Sequence, residues 1–408
     1  MQNFNINNFN SLSPKNEREK INLELTKIRK ALKELDNPCI NVPAIQIVGT
    51  NGKGSISAFL ESILCCSKIN IGVTTSPHLF DISERIRVNQ IKIKKDNFKI
   101  LLKNIQNKLL ALNLSPFELI ICCALKYFDQ NNVDLLVLEA GLGGRLDATT
   151  AHKFRPIIAL GNIGIDHTEY LGDSLEKITR EKVAVIEKGS LVVSSHQKSI
   201  VKEIINERIK QVGAHIFWVE SLTKDWELGL KGNFQKQNAA VAQKVANLLT
   251  ERGLLISKKN IKEGLSKAKW PGRLEIVNWE NKKILVDSAH NSSAAEVLAH
   301  ERKSWDEEEN GVYWIIGVQR QKNILMIIKK LIQSKDKVLL VPVPNQESWT
   351  LNEIAKLSEF NFDNIYEFKN FQEALQYLYK LDEWPKCIPV LTGSIFLVSE
   401  FLKFSKIN

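Results

Sequence analysis

Residues 44–67 read AIQIVGTNGKGSISAFLESILCCS. A short apolar run is followed at once by Gly49-Thr50-Asn51-Gly52-Lys53-Gly54-Ser55, and then by residues of helical period. Strand, glycine turn and helix in that order make a phosphate cradle. The glycines let backbone amides turn toward an anion, the helix start adds the positive end of its dipole, and Lys53 can reach terminal phosphates. The segment departs from the GxxxxGK[ST] pattern, because Ile47 stands where the first glycine belongs and Gly54 separates Lys53 from Ser55. A glycine-rich turn with no ligand is the plain alternative, and the flanking strand and helix argue against it.

Working outward, short apolar runs alternate with longer segments of helical period. The runs are VDLLVLEAG (133–141), RPIIALGNIG (155–164) and LVVSS (191–195), and the helical segments are 55–67, 174–187 and 198–211. This alternation predicts parallel strands crossed over by helices. Ser13-Pro14, as cap and first position, predicts an added helix before Pro43. A second series starts after Trp270-Pro271-Gly272-Arg273, where Pro-Gly breaks the helical segment 258–269. It runs KILVDSA (283–289), VYWIIGV (312–318), KVLLVPV (337–343) and CIPVLTG (387–393), with helical segments at 294–303, 324–334 and 371–381. The expected fold class is therefore α/β: a mostly parallel, P-loop NTPase-like domain over residues 1–272 and a smaller Rossmann-like domain over 273–408.

The chain's 408 residues exceed what one core usually supports, which fits two domains. Hydrophobic residues at 44% and charged residues at 25% exclude wholesale disorder or a fibrous repeat. No apolar stretch approaches the ~20 residues that span a bilayer. The start, MQNFNINNFN, lacks the basic and apolar regions of a secretory signal, so a cytoplasmic location is expected. Cys65/Cys66 and Cys122/Cys123 are adjacent pairs in apolar segments, while Cys39 and Cys387 stand alone. That is neither a disulfide framework nor a CxxC metal site, and small buried hydrophobes in a reducing compartment are expected. The net charge of +10 favours anionic partners, but the lysines are interspersed with glutamates. A solvated helix face fits better than a nucleic-acid stripe, and nucleotide or acidic small-molecule substrates stay open.

A nucleotide loop calls for a hard cation such as Mg²⁺ and oxygen ligands to hold it. VDLLVLE ends in Glu139, at the carboxyl end of a buried-strand run where ligands bind in parallel sheets, and Gly141, Gly143, Gly144, Arg145 and Asp147 follow. A solvent-facing strand-end glutamate is the alternative. Asp166-His167-Thr168 follows the next strand in the same way and brings an imidazole to the same rim. By charge pattern alone Lys182, beside Arg180 and Glu181, reads as a solvated helix residue.

Taken together, GTNGKGS (49–55), TSPHL (75–79), ERIRVN (84–89), LEAGLGGRLDAT (138–149), IGIDHTEYLGDSLEKITREK (163–182), NAA (238–240), WPGRLE (270–275), DSAHN (287–291) and TGS (392–394) resemble the folylpolyglutamate synthase and dihydrofolate synthase family, a branch of the Mur-type ATP-dependent amide ligases. The resemblance spans most of the chain. It implies that a folate-type carboxylate takes the ATP γ-phosphate to become an acyl phosphate, which the amine of L-glutamate then attacks. It also implies that Ser76, Glu139 and His167 hold Mg²⁺ and that Lys182 is carbamylated and supports a second ion. Lys53, Lys182 and His167 are then the catalytic set, and Asn238, Arg273, Asp287 and His290 contact ATP, the last two from the second domain. The expected partners are folate or dihydropteroate, L-glutamate and ATP, without nucleic acid or membrane, and the expected state is a monomer.

The chain departs from the family pattern at Val183-Ala184 after Lys182, at Ser288, at Phe234 and most of all at 317–323, GVQRQKN, where an Asp-Lys-Asp run is usual. No role is carried onto that last segment. Dual activity, joining glutamate to dihydropteroate and extending folates, is the first expectation, with a monofunctional enzyme of either kind next. A peptidoglycan-type Mur ligase is disfavoured by Gly54 and TSPHL. A P-loop ATPase without ligase activity would use the same cradle but need no glutamate.

Overall fold

The computed structural model describes residues 24–357 and 364–406. The chain divides into two compact units. The first contains the described residues up to Leu230 together with Gln235–Lys269, and the second contains Lys231–Phe234 and the described residues from Trp270 onward. The second unit thus begins at Trp270 and includes a short excursion, 231–234, that the sequence pattern did not reveal. Asn233 donates its backbone N–H to both carboxylate oxygens of Glu301 at 3.0 and 2.9 Å, and Phe234 packs against the second unit's core. The expected helix start at Ser13-Pro14 lies outside the described residues; a helix runs over Thr26–Glu34.

In the first unit the strands are β1 (Ala44–Val48), β2 (Ile71–Thr74), β3 (Ile86–Val88), β4 (Ile91–Lys92), β5 (Leu135–Glu139), β6 (Ile157–Leu160), β7 (Leu191–Ser194) and β8 (His215–Trp218). They form one sheet in the order β4-β3-β2-β5-β1-β6-β7-β8. All pairings from β2 to β8 are parallel, while β2 with β3 and β3 with β4 are antiparallel. Strands β1 and β5 are buried along their whole length. That suits their near-continuous apolar runs, since a central parallel strand is covered on both faces. The helix Pro116–Gln130 precedes β5. It is opened by a capping box between Ser115 and Glu118 with Pro116 in the first turn.

The second unit carries β9 (Glu275–Trp279), β10 (Lys282–Val286), β11 (Tyr313–Ile316), β12 (Lys337–Leu340), β13 (Ile365–Glu367) and β14 (Val390–Thr392), in the order β13-β12-β11-β14-β10-β9. Only the β9–β10 pair is antiparallel. A buried ion pair anchors this unit. Arg302 donates to Asp336 at 2.7 and 3.1 Å, and the same carboxylate accepts from Val312 N–H and Trp314 Nε1.

The α/β fold class is as the alternation predicted. Strands β2, β3, β4, β8, β9 and β13 were not predicted; most have a polar residue breaking the apolar run, as in Ile86-Arg87-Val88 and Glu275–Trp279. Cys39, Cys122, Cys123 and Cys387 are buried as expected, but Cys65 and Cys66, at the end of the helix Lys53–Cys66, are only partly so. Among the described residues no helix is long and apolar enough to cross a membrane.

Candidate functional site

The phosphate loop leaves β1 at Gly49 and enters the helix Lys53–Cys66 through Gly52, whose φ of +85° belongs to the left-handed region that favours glycine. A Cβ there would lie 2.5 Å from Asn238 Oδ1, so the close approach also demands glycine. The loop is braced from β6: Thr50 and Asn51 donate their N–H groups to Asn162 O at 2.8 and 3.0 Å, and Thr50 Oγ1 bonds Gly164. On the other side Gln235 Nε2 donates to Ser55 Oγ at 3.2 Å and Asn238 Nδ2 donates to Gln235 Oε1 at 2.9 Å. Both residues begin the helix Gln235–Glu251 and are buried. Asn238, expected at the nucleotide, lies beside the loop. Gln235 was not singled out, although its place three residues before Asn238 puts both on one helix face.

Two amines meet at one carbonyl. Lys53 Nζ donates to Gly49 O and Thr50 O, each at 3.1 Å, and Lys182 Nζ donates to Gly49 O at 3.1 Å. The solvated reading of Lys182 is overturned, because the residue is only 4% exposed. Its helix, Leu175–Val183, turns Ile178, Thr179, Lys182 and Val183 inward, so the lysine lies on the buried stripe rather than the charged one. Burial, and then the neighbouring Lys53 charge, pulls the Lys182 amine down from 10.5 to about 7, with Asp166, Asp147 and Glu181 opposing. The amine is therefore about half neutral near pH 7.

Glu139 ends β5 and is buried rather than solvent-facing. Burial pulls the Arg85 guanidinium down to about 10 even though the charges of Glu139 and Glu84 help retain its proton. Arg85 Nε donates to His78 Nδ1 at 3.0 Å. Beyond Glu139, Asp147 accepts from the N–H groups of Gly141 and Leu142, each at 2.9 Å, and from Thr149. It holds the glycine loop from inside. Gly144 packs on Lys182, where a Cβ would lie 2.6 Å from Lys182 O. Ser76 is half-buried and directly follows Thr75 after β2. His167 is partly exposed, with its ring 3.8 Å from Asp166 and 3.9 Å from Glu169. Among the described residues no three His, Cys, Asp or Glu side chains form a ready-made metal group. The Ser76 hydroxyl and the Glu139 carboxylate are oxygen donors of the kind Mg²⁺ takes, and that ion keeps water and phosphate in its shell rather than requiring an all-protein cage; the His167 imidazole is a softer donor.

In the second unit Asp287 follows β10 and is buried. It accepts from Leu274 N–H at 3.1 Å and Ala289 N–H at 2.8 Å, and burial raises its carboxyl despite the nearby Arg273 charge. His290 Nδ1 lies 2.8 Å from Ser288 O, and the Ser288 hydroxyl donates to Gly272 O. Gly393 N–H donates to Ala289 O, so the TGS segment after β14 lies against the 287–291 loop. The divergent segment is held locally, with Arg320 paired to Glu353 and Trp349 Nε1 donating to Lys322 O.

A parallel sheet with a glycine loop at a strand's carboxyl end, opening a helix and flanked by two convergent lysines, defines an α/β protein of the phosphate-loop class. Residues 273–404 match the family described as dihydrofolate synthetase, C-terminal domain. The chain is 32% identical to the dihydrofolate synthase/folylpolyglutamate synthase of Buchnera aphidicola subsp. Schizaphis graminum, over 87% of this chain and 86% of that relative. It is 29% identical to the dihydrofolate synthetase of Saccharomyces cerevisiae, over 94% of this chain and 98% of the relative. A solved bifunctional folylpolyglutamate synthase/dihydrofolate synthase with Mn, AMPPNP and L-glutamate bound has a TM-score of 0.81 at 25% identity, covering 95% of each chain. The chain belongs to the dihydrofolate synthase/folylpolyglutamate synthase family.

Proposed function

We propose that this chain is an ATP-dependent acid–amino-acid ligase, joining L-glutamate to the carboxylate of dihydropteroate and of folates, with release of ADP and phosphate. The observation that carries the reading is the meeting of Lys53 and the buried Lys182 at Gly49 O in a chain of this family. A carboxylate and ATP are both anionic, so their approach needs fixed positive charge and oriented amides. Lys53, freed from its loop carbonyls, meets the transferring phosphoryl oxygens, while the amides of 49–55 cradle the phosphates. Ser76, Glu139 and His167 would hold Mg²⁺, which would supply neutralising charge for the phosphates. Lys182, whose lowered proton affinity leaves a substantial share of neutral amine near pH 7, is able to capture CO₂ as a carbamate, which turns a buried amine into an oxygen donor beside Lys53. Asn238, Arg273, Asp287 and His290 are assigned to the nucleotide. The carboxylate oxygen attacks the γ-phosphorus and ADP leaves. The glutamate amine then attacks the acyl carbon, phosphate leaves, and the amine's proton passes to solvent.

A monofunctional dihydrofolate synthase is the second reading, favoured by the description of the family matching 273–404 and by the yeast relative. ADP release with L-glutamate and either dihydropteroate or a reduced monoglutamyl folate decides between them. Turnover on both acceptors supports dual activity, and turnover on dihydropteroate alone supports the second reading. ATP hydrolysis that ignores glutamate defeats both.

A further inference from the structure

One guanidinium in the first unit joins three elements whose connection the proposed chemistry does not by itself explain. Arg87, on β3, is buried. Its Nε donates to both carboxylate oxygens of Glu61 at 3.0 Å, and its Nη2 donates to Glu61 Oε2 at 2.7 Å. Its Nη1 donates to Thr75 Oγ1 at 2.9 Å and to Glu84 O at 2.5 Å. Glu61 sits on the helix Lys53–Cys66 that the phosphate loop opens, and Thr75 immediately precedes Ser76. Glu84 closes the far side of the same segment, its carboxylate accepting from the amides of Leu79, Phe80 and Asp81. A buried ion pair adds little net stability over apolar packing, because desolvation opposes the Coulomb gain. The planar fork does fix geometry, holding a carboxylate on one edge and a hydroxyl and a carbonyl on the other.

The geometry points to Arg87 and Glu61 as a positioning pair that sets the Ser76 hydroxyl against the phosphate loop, through Thr75. This rests on the assignment of Ser76 to the cation, made above. Both residues are buried, so the role is one of positioning. The pair carries the position of the phosphate-loop helix to the end of β2, so that loop and hydroxyl move as one body, and small misplacements of such groups are costly.

The test reads binding rather than turnover: Mn²⁺ affinity of the full chain with ADP, followed by electron paramagnetic resonance of free Mn²⁺, together with thermal denaturation. Ser76→Ala calibrates the assignment. Thr75→Val removes only the hydroxyl acceptor, leaving Arg87 on Glu61 and on Glu84 O; Thr75→Ser restores the hydroxyl; Arg87→Lys keeps the charge without the fork. We expect Thr75→Val and Arg87→Lys to weaken Mn²⁺ binding by about tenfold. Thr75→Ser should bind as wild type, and Thr75→Val should keep a near-normal Tm. If Ser76→Ala leaves Mn²⁺ affinity unchanged, the cation assignment fails and takes this inference with it. If Ser76→Ala weakens binding while Thr75→Val binds normally, the assignment stands and the positioning role is overturned. Weakening in Thr75→Ser equal to that in Thr75→Val, tracking a fall in Tm, reduces the pair to a structural one and also overturns it. Should Arg87→Lys not fold, the two Thr75 variants decide.

Discussion

Replacing Lys182 by arginine tests its burial and its chemistry together. The fall from 10.5 to about 7, at ~1.4 kcal/mol for each tenfold change in proton affinity, puts the cost of charging this amine at about 5 kcal/mol. An arginine cannot shed its proton in a protein and cannot become a carbamate. Wild type and Lys182→Arg both carry most of that cost at pH 7, so their stabilities should be close there and Lys182→Arg should fall several kcal/mol below wild type by pH 10. Lys182→Arg should fail to ligate at either pH, whereas Lys182→Met should fold well and also fail to ligate. The pH dependence has a definite sign. Between about pH 7 and 10.5 the unfolded chain holds a proton that the folded chain has lost, so wild-type stability rises with pH relative to Lys182→Met. Below about pH 7 both states are charged, the full cost is present and the difference is flat. Urea denaturation in CO₂-free buffer from pH 6 to 10 measures this, and ADP release measures ligation. Small carboxylic acids should partly restore turnover to Lys182→Met by filling the vacated oxygen position. A Lys182→Arg protein with most of the wild-type activity would refute the carbamate, and one as stable as wild type at pH 10 would refute the burial cost.

Lys53→Ala should keep the fold and lose around a hundredfold in ligation, roughly 3 kcal/mol of transition-state stabilisation; near-normal ADP release by the folded variant would remove Lys53 from the cradle. Gly52→Ala introduces a Cβ 2.5 Å from Asn238 Oδ1 at a φ of +85°, so nucleotide affinity by calorimetry should fall at least tenfold, a loss of about 1.4 kcal/mol, and unchanged affinity would show that the loop has room to move. Asp336→Ala leaves Arg302 as a buried charge without its main carboxylate, and should cost about 3–5 kcal/mol in urea unfolding of the full chain; a loss below about 1 kcal/mol would mean that Glu308, 3.0 Å from Arg302, suffices.

The amino-acid sequence by itself determined the α/β class, the phosphate loop and the central strands, because each is written in neighbouring residues: apolar runs, helical period, and glycines where a backbone must turn. It also carried enough ordered motifs to suggest the family. Tertiary structure alone decided what Lys182 is. Its helix neighbours are charged and predict solvent, yet the carbonyl that accepts its hydrogen bond, Gly49 O, is 133 residues away. The same holds for Asn238 against Gly52, for Gln235 on Ser55 and for the Arg87 fork on Glu61 and Thr75, contacts between segments that local pattern treats separately. Strand order is of this kind too, since β5 enters between β1 and β2. Periodicity reports which face of an element is buried. What covers that face, and whether a charge there is paid in solvation or in a shifted proton affinity, depends on residues brought near only when the chain closes on itself.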